Sequence, residues 1–452
     1  MITIYWERIM KAKTFAGIIT SFLLVLSFFV IFTMPRYQHY FRRNNYKQKH
    51  KEDTHKTNIT TNNPQSAESL CKLAIQYYRK KKFHKALQYF KQASDLLPND
   101  VDILCNVAQI LFYETFDIPE TIRVCEKIIS LDKKNRIAYE FLSNCYLRVG
   151  NFEGGNHARR ILDGNRVWPK VWDGSDVQGK TIVIDDNIGI GDLFCWIRYG
   201  KMFKDQGAKK VIVYAKKVLV PLLSLCPYID ELIIRGQKIP YYDFKIGTGQ
   251  LHHRINKTIN DIYKYGLETP YLYADKALTE QWAKKLTQDS NFKIGICWSA
   301  KQKAERDFKY RPIPLKHFYP ISKFDGVSLY SLQQKNNHGL NQLNNLPQDF
   351  NLTLFDETFD KKNGSFMDTA AVMKNVNLII TVDTSIAHLA GALGVKVWLL
   401  LPHVSDWRWF LDRTDSPWYP TMRIFRQKKL GDWDGVMQDV MIALKEIKQT
   451  RI

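Results

Sequence analysis

The chain has 452 residues, of which 45% are hydrophobic and 25% charged. At about 150 residues per domain this allows about three globular units and excludes a mainly disordered chain, a collagen or a polytopic membrane protein. Its 66 Lys and Arg against 45 Asp and Glu leave a net +21, which suits membrane phospholipid, nucleic acid or a phosphorylated substrate without choosing among them. The seven cysteines include no C-x-x-C pair, which argues against a disulfide framework or a structural zinc site and for a reducing compartment.

The first element is an uncharged apolar run from Thr14 to Met34, preceded by a flank at 1–13. At about 1.5 Å per residue such a helix just crosses a ~30 Å hydrocarbon core. A cleaved signal peptide is the rival reading. It is disfavoured by the length of the run and by the bulky exit Thr33-Met34-Pro35-Arg36, which lacks the small residues of a cleavage site. Arg36, Arg42, Arg43, Lys47, Lys49 and Lys51 follow the run, against Arg8, Lys11 and Lys13 before it. The positive-inside rule therefore places the long C-terminal part in the cytoplasm, as a single-pass membrane protein. Residues 35–65 read as a basic and polar linker, whose first part can lie on anionic headgroups.

Short amphipathic helices follow over 66–165. Leu70, Leu73, Ala74 and Tyr77 form one apolar stripe, and Phe83, Ala86, Phe90 and Ala93 a second that stops at Pro98. Leu104, Val107, Ala108 and Leu111 recur one period later, and Tyr139, Leu142, Ser143, Tyr146, Gly150 and Phe152 make a third, degenerate copy. This pattern resembles the tetratricopeptide repeat (TPR), a helix-turn-helix unit of about 34 residues. Thr121 and Gly155 stand where the repeat has its small Ala86, and Cys125 and Arg159 where it has Phe90. Three units are the minimum for a stable stack, so the module is expected to lean on its neighbour. Stacked pairs can offer a groove to a protein partner or can serve only as a spacer.

The grammar then changes to strand and helix in alternation. Lys180 to Asp186 and Lys210 to Ala215 read as strands around the glycine turn Gly189-Ile-Gly191-Asp192 and an amphipathic stretch, Leu193 to Gln206. This is a βαβ unit, with glycines that permit a tight turn and close approach of a ligand. A second series begins at Phe292 and continues through strands near 327–333, 376–382 and 395–401. In Thr381-Val-Asp-Thr-Ser-Ile-Ala-His388 a buried strand ends at Asp383, and Thr384 and Ser385 open a small-residue helix carrying His388. Hydroxyls, free backbone N–H groups and a positive helix end would stabilise a diphosphate there. Equally, Asp383 and Ser385 can simply cap, with His388 a core residue.

The string Asp383-Thr-Ser-Ile-Ala-His-Leu-Ala-Gly-Ala-Leu-Gly394 resembles the nucleotide-sugar site of the heptosyltransferase-related glycosyltransferases (ADP-heptose:LPS heptosyltransferase-like). The match extends over Gly189–Tyr199, Gly295–Ser299, Ser328–Gln333, Asp368–Ala371, Asp406–Trp409, Asp415–Pro420 and Arg423–Gln427. The whole chain looks like bacterial proteins that join tetratricopeptide repeats to such a domain. The resemblance implies an α/β GT-B fold: two Rossmann-like domains, an acceptor half at 166–290 and a donor half at 291–452, facing across a cleft. It implies Asp192 as the base for the acceptor hydroxyl, with a helix cap as the alternative role. It also points to Lys309 and Arg311 as the best candidates for diphosphate charge, although Pro312 stands where the family often has Ser. Lys301 and Lys303 read as solvated charges.

No Asp-x-Asp motif lies in a suitable turn of the donor half, so neither a cofactor nor a metal is expected. The reading is a membrane-anchored glycosyltransferase that takes a nucleotide-sugar donor and a glycan, lipid-linked or protein acceptor. A non-catalytic TPR scaffold with an inactive transferase fold is its alternative. Nucleic acid is not expected as a partner, because the basic residues are dispersed and form no binding motif.

Overall fold

The structure, a computed structural model, describes residues 66–164, 170–266, 268–300, 311–334 and 338–449. The flank at 1–13, the expected membrane helix at 14–34, the linker up to residue 65 and Lys309 lie outside them. Among the described residues no helix is long and apolar enough to cross a membrane. From Gln65 onward the chain forms one compact unit.

Three helix hairpins come first: α1 Ala67–Arg79 with α2 Phe83–Leu96, α3 Val101–Ile110 with α4 Ile118–Leu131, and α5 Arg136–Arg148 with α6 Phe152–Asp163. Ser66, Asp100, Asp117, Asn135 and Asn151 each cap a helix by accepting a backbone N–H on the side chain, which satisfies one of the orphan donors of the first turn. Ala74, Ala86, Phe90 and Ala93 are buried between the first two helices, as the apolar stripes predict. The degenerate positions are filled differently. Thr121 turns its hydroxyl back to the Asp117 carbonyl at 2.6 Å, and Cys125 is buried in the place of Phe90. A Cβ on Gly155 would come within 2.6 Å of the Leu147 side chain, so the third hairpin closes only around glycine. Helix α3 runs on into a π-helical turn, Leu111–Thr115, which ends at Phe116 in the left-handed conformation (φ 58°).

The first sheet follows: β1 Thr181–Asp185, helices α7 Ile190–Trp196 and α8 Arg198–Asp205, β2 Lys210–Ala215, β3 Glu231–Ile234 and β4 Phe244–Gly247. Its strands are parallel in the order β3-β2-β1-β4. The single amphipathic stretch expected after the glycine turn is two helices, because the buried Arg198 Nε donates to the Cys195 carbonyl at 2.8 Å and competes for that helical acceptor. Helices α9 Thr248–Ile255, α10 Ile259–Gly266 and α11 Lys276–Leu286 lead out of this half.

The second half holds β5 Phe292–Cys297, β6 Val327–Ser331, α12 Met367–Met373, β7 Leu378–Val382, α13 Ser385–Ala392, β8 Val397–Leu401, β9 Met422–Arg426 and α14 Trp433–Gln449. Its strands are also parallel, in the order β6-β5-β7-β8-β9. Central strands β7 and β8 are buried throughout, which is why they read as unbroken apolar runs rather than alternating ones. Two parallel α/β sheets preceded by helix hairpins agree with the GT-B-like and repeat architecture implied by the sequence.

The repeat does lean on its neighbour. Leu147 and Phe152 share one apolar core with β1, β2 and Trp407–Phe410. Asn156 Nδ2 donates to the Asn256 carbonyl at 2.6 Å, and Asp163 lies 3.0 Å from His253 Nε2.

Candidate active site

The turns after β1 and β7 meet. Gly189 is the N-cap of α7, with φ −69°, and neither Gly189 nor Gly191 has a positive φ. The tight-turn reason for these glycines therefore does not hold. Gly191 is needed because the other half comes close: a Cβ there would lie 3.0 Å from His388 Cδ2 and 3.4 Å from Ser385 Cα. At Gly189 an added Cβ would meet only the Asp192 side chain, which can move. The first turns of α7 and α13, each after the carboxyl end of a parallel strand, thus abut.

On the second half Thr384 is the N-cap of α13. Its hydroxyl accepts the Ile386 N–H at 3.2 Å and lies 3.4 Å from the Thr381 hydroxyl. Asp383, just past β7, is buried. Burial pushes its carboxyl up, against the pull of Arg311.

His388 is buried, with Nδ1 2.8 Å from the Tyr419 hydroxyl and its ring stacked on Trp409 at 5.4 Å. Its Nε2 stands 3.8 Å from Asp383 Oδ1. Burial, reinforced by Arg408, pushes the imidazole down to about 3, so it is neutral near pH 7. It can orient a ligand or hold Asp383 in place but brings no charge of its own to a diphosphate.

Asp192, in the first turn of α7, does not cap that helix, which has no side-chain cap. Its carboxylate crosses to the second half instead and meets Arg408 Nη2 at 2.5 Å. Arg408 Nη1 lies 2.8 Å from Asp406, whose second oxygen is 3.6 Å from Arg311, and Arg311 is 3.4 Å from Asp383. An alternating series, Asp192–Arg408–Asp406–Arg311–Asp383, therefore runs from one half to the other. Burial alone would raise the Asp406 carboxyl, but Arg408 and Arg311 outweigh it and hold the group well below the usual carboxylate range.

The guanidinium of Arg408 sits over Trp196 and Trp407, 4.8 and 5.0 Å from the ring centroids. Those two indoles stack across the halves at 6.1 Å. Arg198 of α8 adds a second pin, donating to the Trp418 carbonyl at 2.8 Å and the Tyr271 hydroxyl at 2.7 Å.

Of the residues singled out from the sequence, Gly191, Asp192, Arg311, Asp383, Thr384, Ser385 and His388 are thus brought together. Asp406 was not singled out, although the family string Asp406–Trp409 contains it. Arg408, within the Asp406–Trp409 string, packs between two indoles and also pairs with Asp192 across the halves. Among the described residues no group of three or more His, Cys, Asp or Glu side chains is arranged to hold a metal ion.

No family model matches the chain. Protein FlbA of Caulobacter vibrioides is 25% identical over 300 residues, which is 61% of this chain and 48% of that protein, so the chain spans about half the length of this curated relative. Among solved structures, ADP-heptose LPS heptosyltransferase II of E. coli is 14% identical with a TM-score of 0.43, covering 59% of this chain and 99% of that one. A glycosyl transferase of family 9 from Veillonella parvula is 13% identical with a TM-score of 0.42, covering 61% and 91%. The TPR domain of Arabidopsis OM64 is 21% identical with a TM-score of 0.20, covering 22% and 83%. The chain is similar to heptosyltransferases and to a glycosyl transferase of family 9 over about three fifths of its length, and to TPR domains over its N-terminal part.

Proposed function

We propose that this chain is a glycosyltransferase that moves a sugar from a nucleotide-diphosphate donor to a glycan, lipid-linked or protein acceptor without a metal. The observation that supports it best is the abutment of the first turn of α7, which carries Asp192, against the first turn of α13 at Gly191, Ser385 and His388. The donor's diphosphate would lie at the first turn of α13, held by Thr384 and Ser385 with Arg311 alongside, and Lys309 is a further candidate for its charge from the sequence alone. The acceptor oxygen attacks the anomeric carbon, the bond from that carbon to the diphosphate oxygen breaks, and its electron pair leaves on the diphosphate. The acceptor's proton goes to Asp192. Arg408 orients the Asp192 carboxylate through their 2.5 Å contact and is placed to turn toward the leaving diphosphate.

We also propose that the apolar run at 14–34 anchors the enzyme with its catalytic part in the cytoplasm, from the basic flank after Met34. A fusion at the C-terminus to a reporter that works only outside the cytoplasm tests this, and activity there would reverse the topology.

A screen of ADP-, UDP- and GDP-sugars for binding and donor hydrolysis tests the reaction. One donor should bind, and its hydrolysis should fall in Asp192→Ala. The scaffold reading draws on one observation, that Arg408 occupies the Asp192 carboxylate in this closed arrangement. Binding of no donor, or hydrolysis indifferent to Asp192, would favour that reading.

A further inference from the structure

A cavity of about 60 Å³ lies where the repeat meets the second half, between the π turn, helix α5 and the segment leading to Trp407. By this measure one water needs roughly 10–15 Å³, so the space holds more than a single solvent molecule. Phe112, Tyr113, Asn144 and Arg148 line it from the repeat, with Arg311 and Asp406 opposite. It therefore opens directly onto the charged series that begins at Asp192.

The chemistry of its walls is unbalanced. Arg148 lies over the face of Phe112, 5.0 Å from the ring centroid, while its Nε and Nη1 are buried with no hydrogen-bond partner. No ion pair to Arg148 occurs among the described residues. Arg426 adds positive charge near the wall and repels Arg148; burial pushes its guanidinium down to about 10, against the pull of Asp412. Arg159, at the degenerate repeat position, has its Nε buried without a partner and feels Glu140 and Asp163 first, then Arg408 and Asp406. The one carboxylate on the wall, Asp406, is already engaged by Arg408 and Arg311. A guanidinium edge left desolvated without an acceptor is unfavourable, and a planar donor fork of this kind matches a carboxylate or phosphate.

We propose that this cavity is an anion subsite for the acceptor, in which Arg148 receives a carboxylate or phosphate group carried near the hydroxyl that is to be glycosylated. The inference rests on the transferase reading and gives the repeat a direct part in substrate recognition. Phe112 and Tyr113, which line the cavity, belong to the π turn of α3, and π turns recur at functional sites.

The test is thermal unfolding of the full chain and of Arg148→Met, in chloride and with chloride replaced by inorganic phosphate or acetate at constant ionic strength. The titrations are run with the nucleoside diphosphate from the donor screen saturating, or without it if none binds. Wild type should gain about 2 °C or more in one of the two anions, and which one identifies phosphate or carboxylate as the group. Arg148→Met should lose that gain, melt no lower than wild type in chloride, and bind the nucleotide within about twofold of wild type. A residue with only a packing role would lower melting in chloride and leave the anion response intact, which would overturn the proposal. So would a tenfold loss of nucleotide affinity, since the anion would then be the donor's own, or no anion response in wild type. Failure of every nucleotide to bind would count against the transferase and leave the anion arm to judge Arg148.

Discussion

Two helix starts meet in the cleft, and they are built on opposite plans. Helix α13 satisfies itself: Thr384 caps it, Asp383 and the small residues behind it are buried, and its strand and helix read as one local unit. Helix α7 starts at Gly189 with no side-chain cap, and the acid in its first turn is spent on Arg408, far away in sequence. A helix start that is closed locally is suited to present N–H groups to a ligand, because nothing else has to move. One whose acid reaches across the cleft is suited to chemistry that depends on the two halves being together.

The comparison is broken most directly at Asp192. If its carboxylate takes the acceptor proton, Asp192→Asn should lower turnover about 10²–10⁴-fold while nucleotide affinity changes by less than about twofold, measured by titration. Asn keeps the size and can still accept from Arg408. A normal turnover in this variant would therefore reduce Asp192 to an interdomain strut, and an equal loss of nucleotide affinity would put it on the donor side.

The next effect concerns closeness. Gly191→Ala places a methyl 3.0 Å from His388 Cδ2 and 3.4 Å from Ser385 Cα, where backbone as well as side chain must yield. A cost of about 1–3 kcal/mol is expected, together with a loss of turnover as the halves separate. Gly189→Ala, meeting only the end of Asp192, should unfold within about 0.5 kcal/mol of wild type. Denaturant melts of the pair decide it, and equal costs would mean that the halves are not held this tightly in solution.

How far the sequence could be read follows the same division. The run from Leu378 to Ala392 was legible because a buried β-branched strand, a hydroxyl cap and a small-residue helix are all local signals. The repeat was legible even where it degenerates, since Thr121, Cys125 and Gly155 occupy the buried slots that the period assigns. What could not be read is long-range. Asp406 and Arg408 lie in a segment with no period, and the partner that gives Arg408 its second role is on the other half. The edge strand β3 is half-buried along its whole length and carries little pattern. The π turn at Leu111–Thr115 has no sequence signature, so the cavity beside it could not be anticipated.

The pH dependence sharpens the comparison on the α13 side. Burial, with Arg408 adding to it, lowers His388 from an ordinary value of 6.5 to about 3, while Asp192 and Asp406 pull the other way. Burial also lowers His252 and His253. A depressed pKa means that the unfolded chain binds the proton first. The stability contributed by neutral His388 is therefore complete above about pH 6.5 and declines as pH falls toward 3. Urea midpoints between pH 7 and 4.5 should fall less steeply in His388→Gln than in wild type. An unchanged slope would mean that the histidine is protonated in the folded cleft and able to meet a phosphate as a cation.

The smallest expected effect is at Thr384, and it separates cap from ligand. Thr384→Ala removes the acceptor for the Ile386 N–H, at about 1 kcal/mol for a lost N-cap. Thr384→Ser keeps the oxygen and should recover most of that stability. If the hydroxyl serves only the helix, both variants bind nucleotide as wild type does once folded, because the backbone N–H groups of the first turn are unchanged. If it also donates to the diphosphate, alanine weakens binding about tenfold, which is 1.4 kcal/mol, and serine restores it. The outcome expected here is the second, since the Thr384 hydroxyl stands at the N-terminus of α13, where the diphosphate is proposed to lie. Titration of the three proteins with one nucleoside diphosphate decides it, and parallel binding curves would confine Thr384 to holding α13 in place.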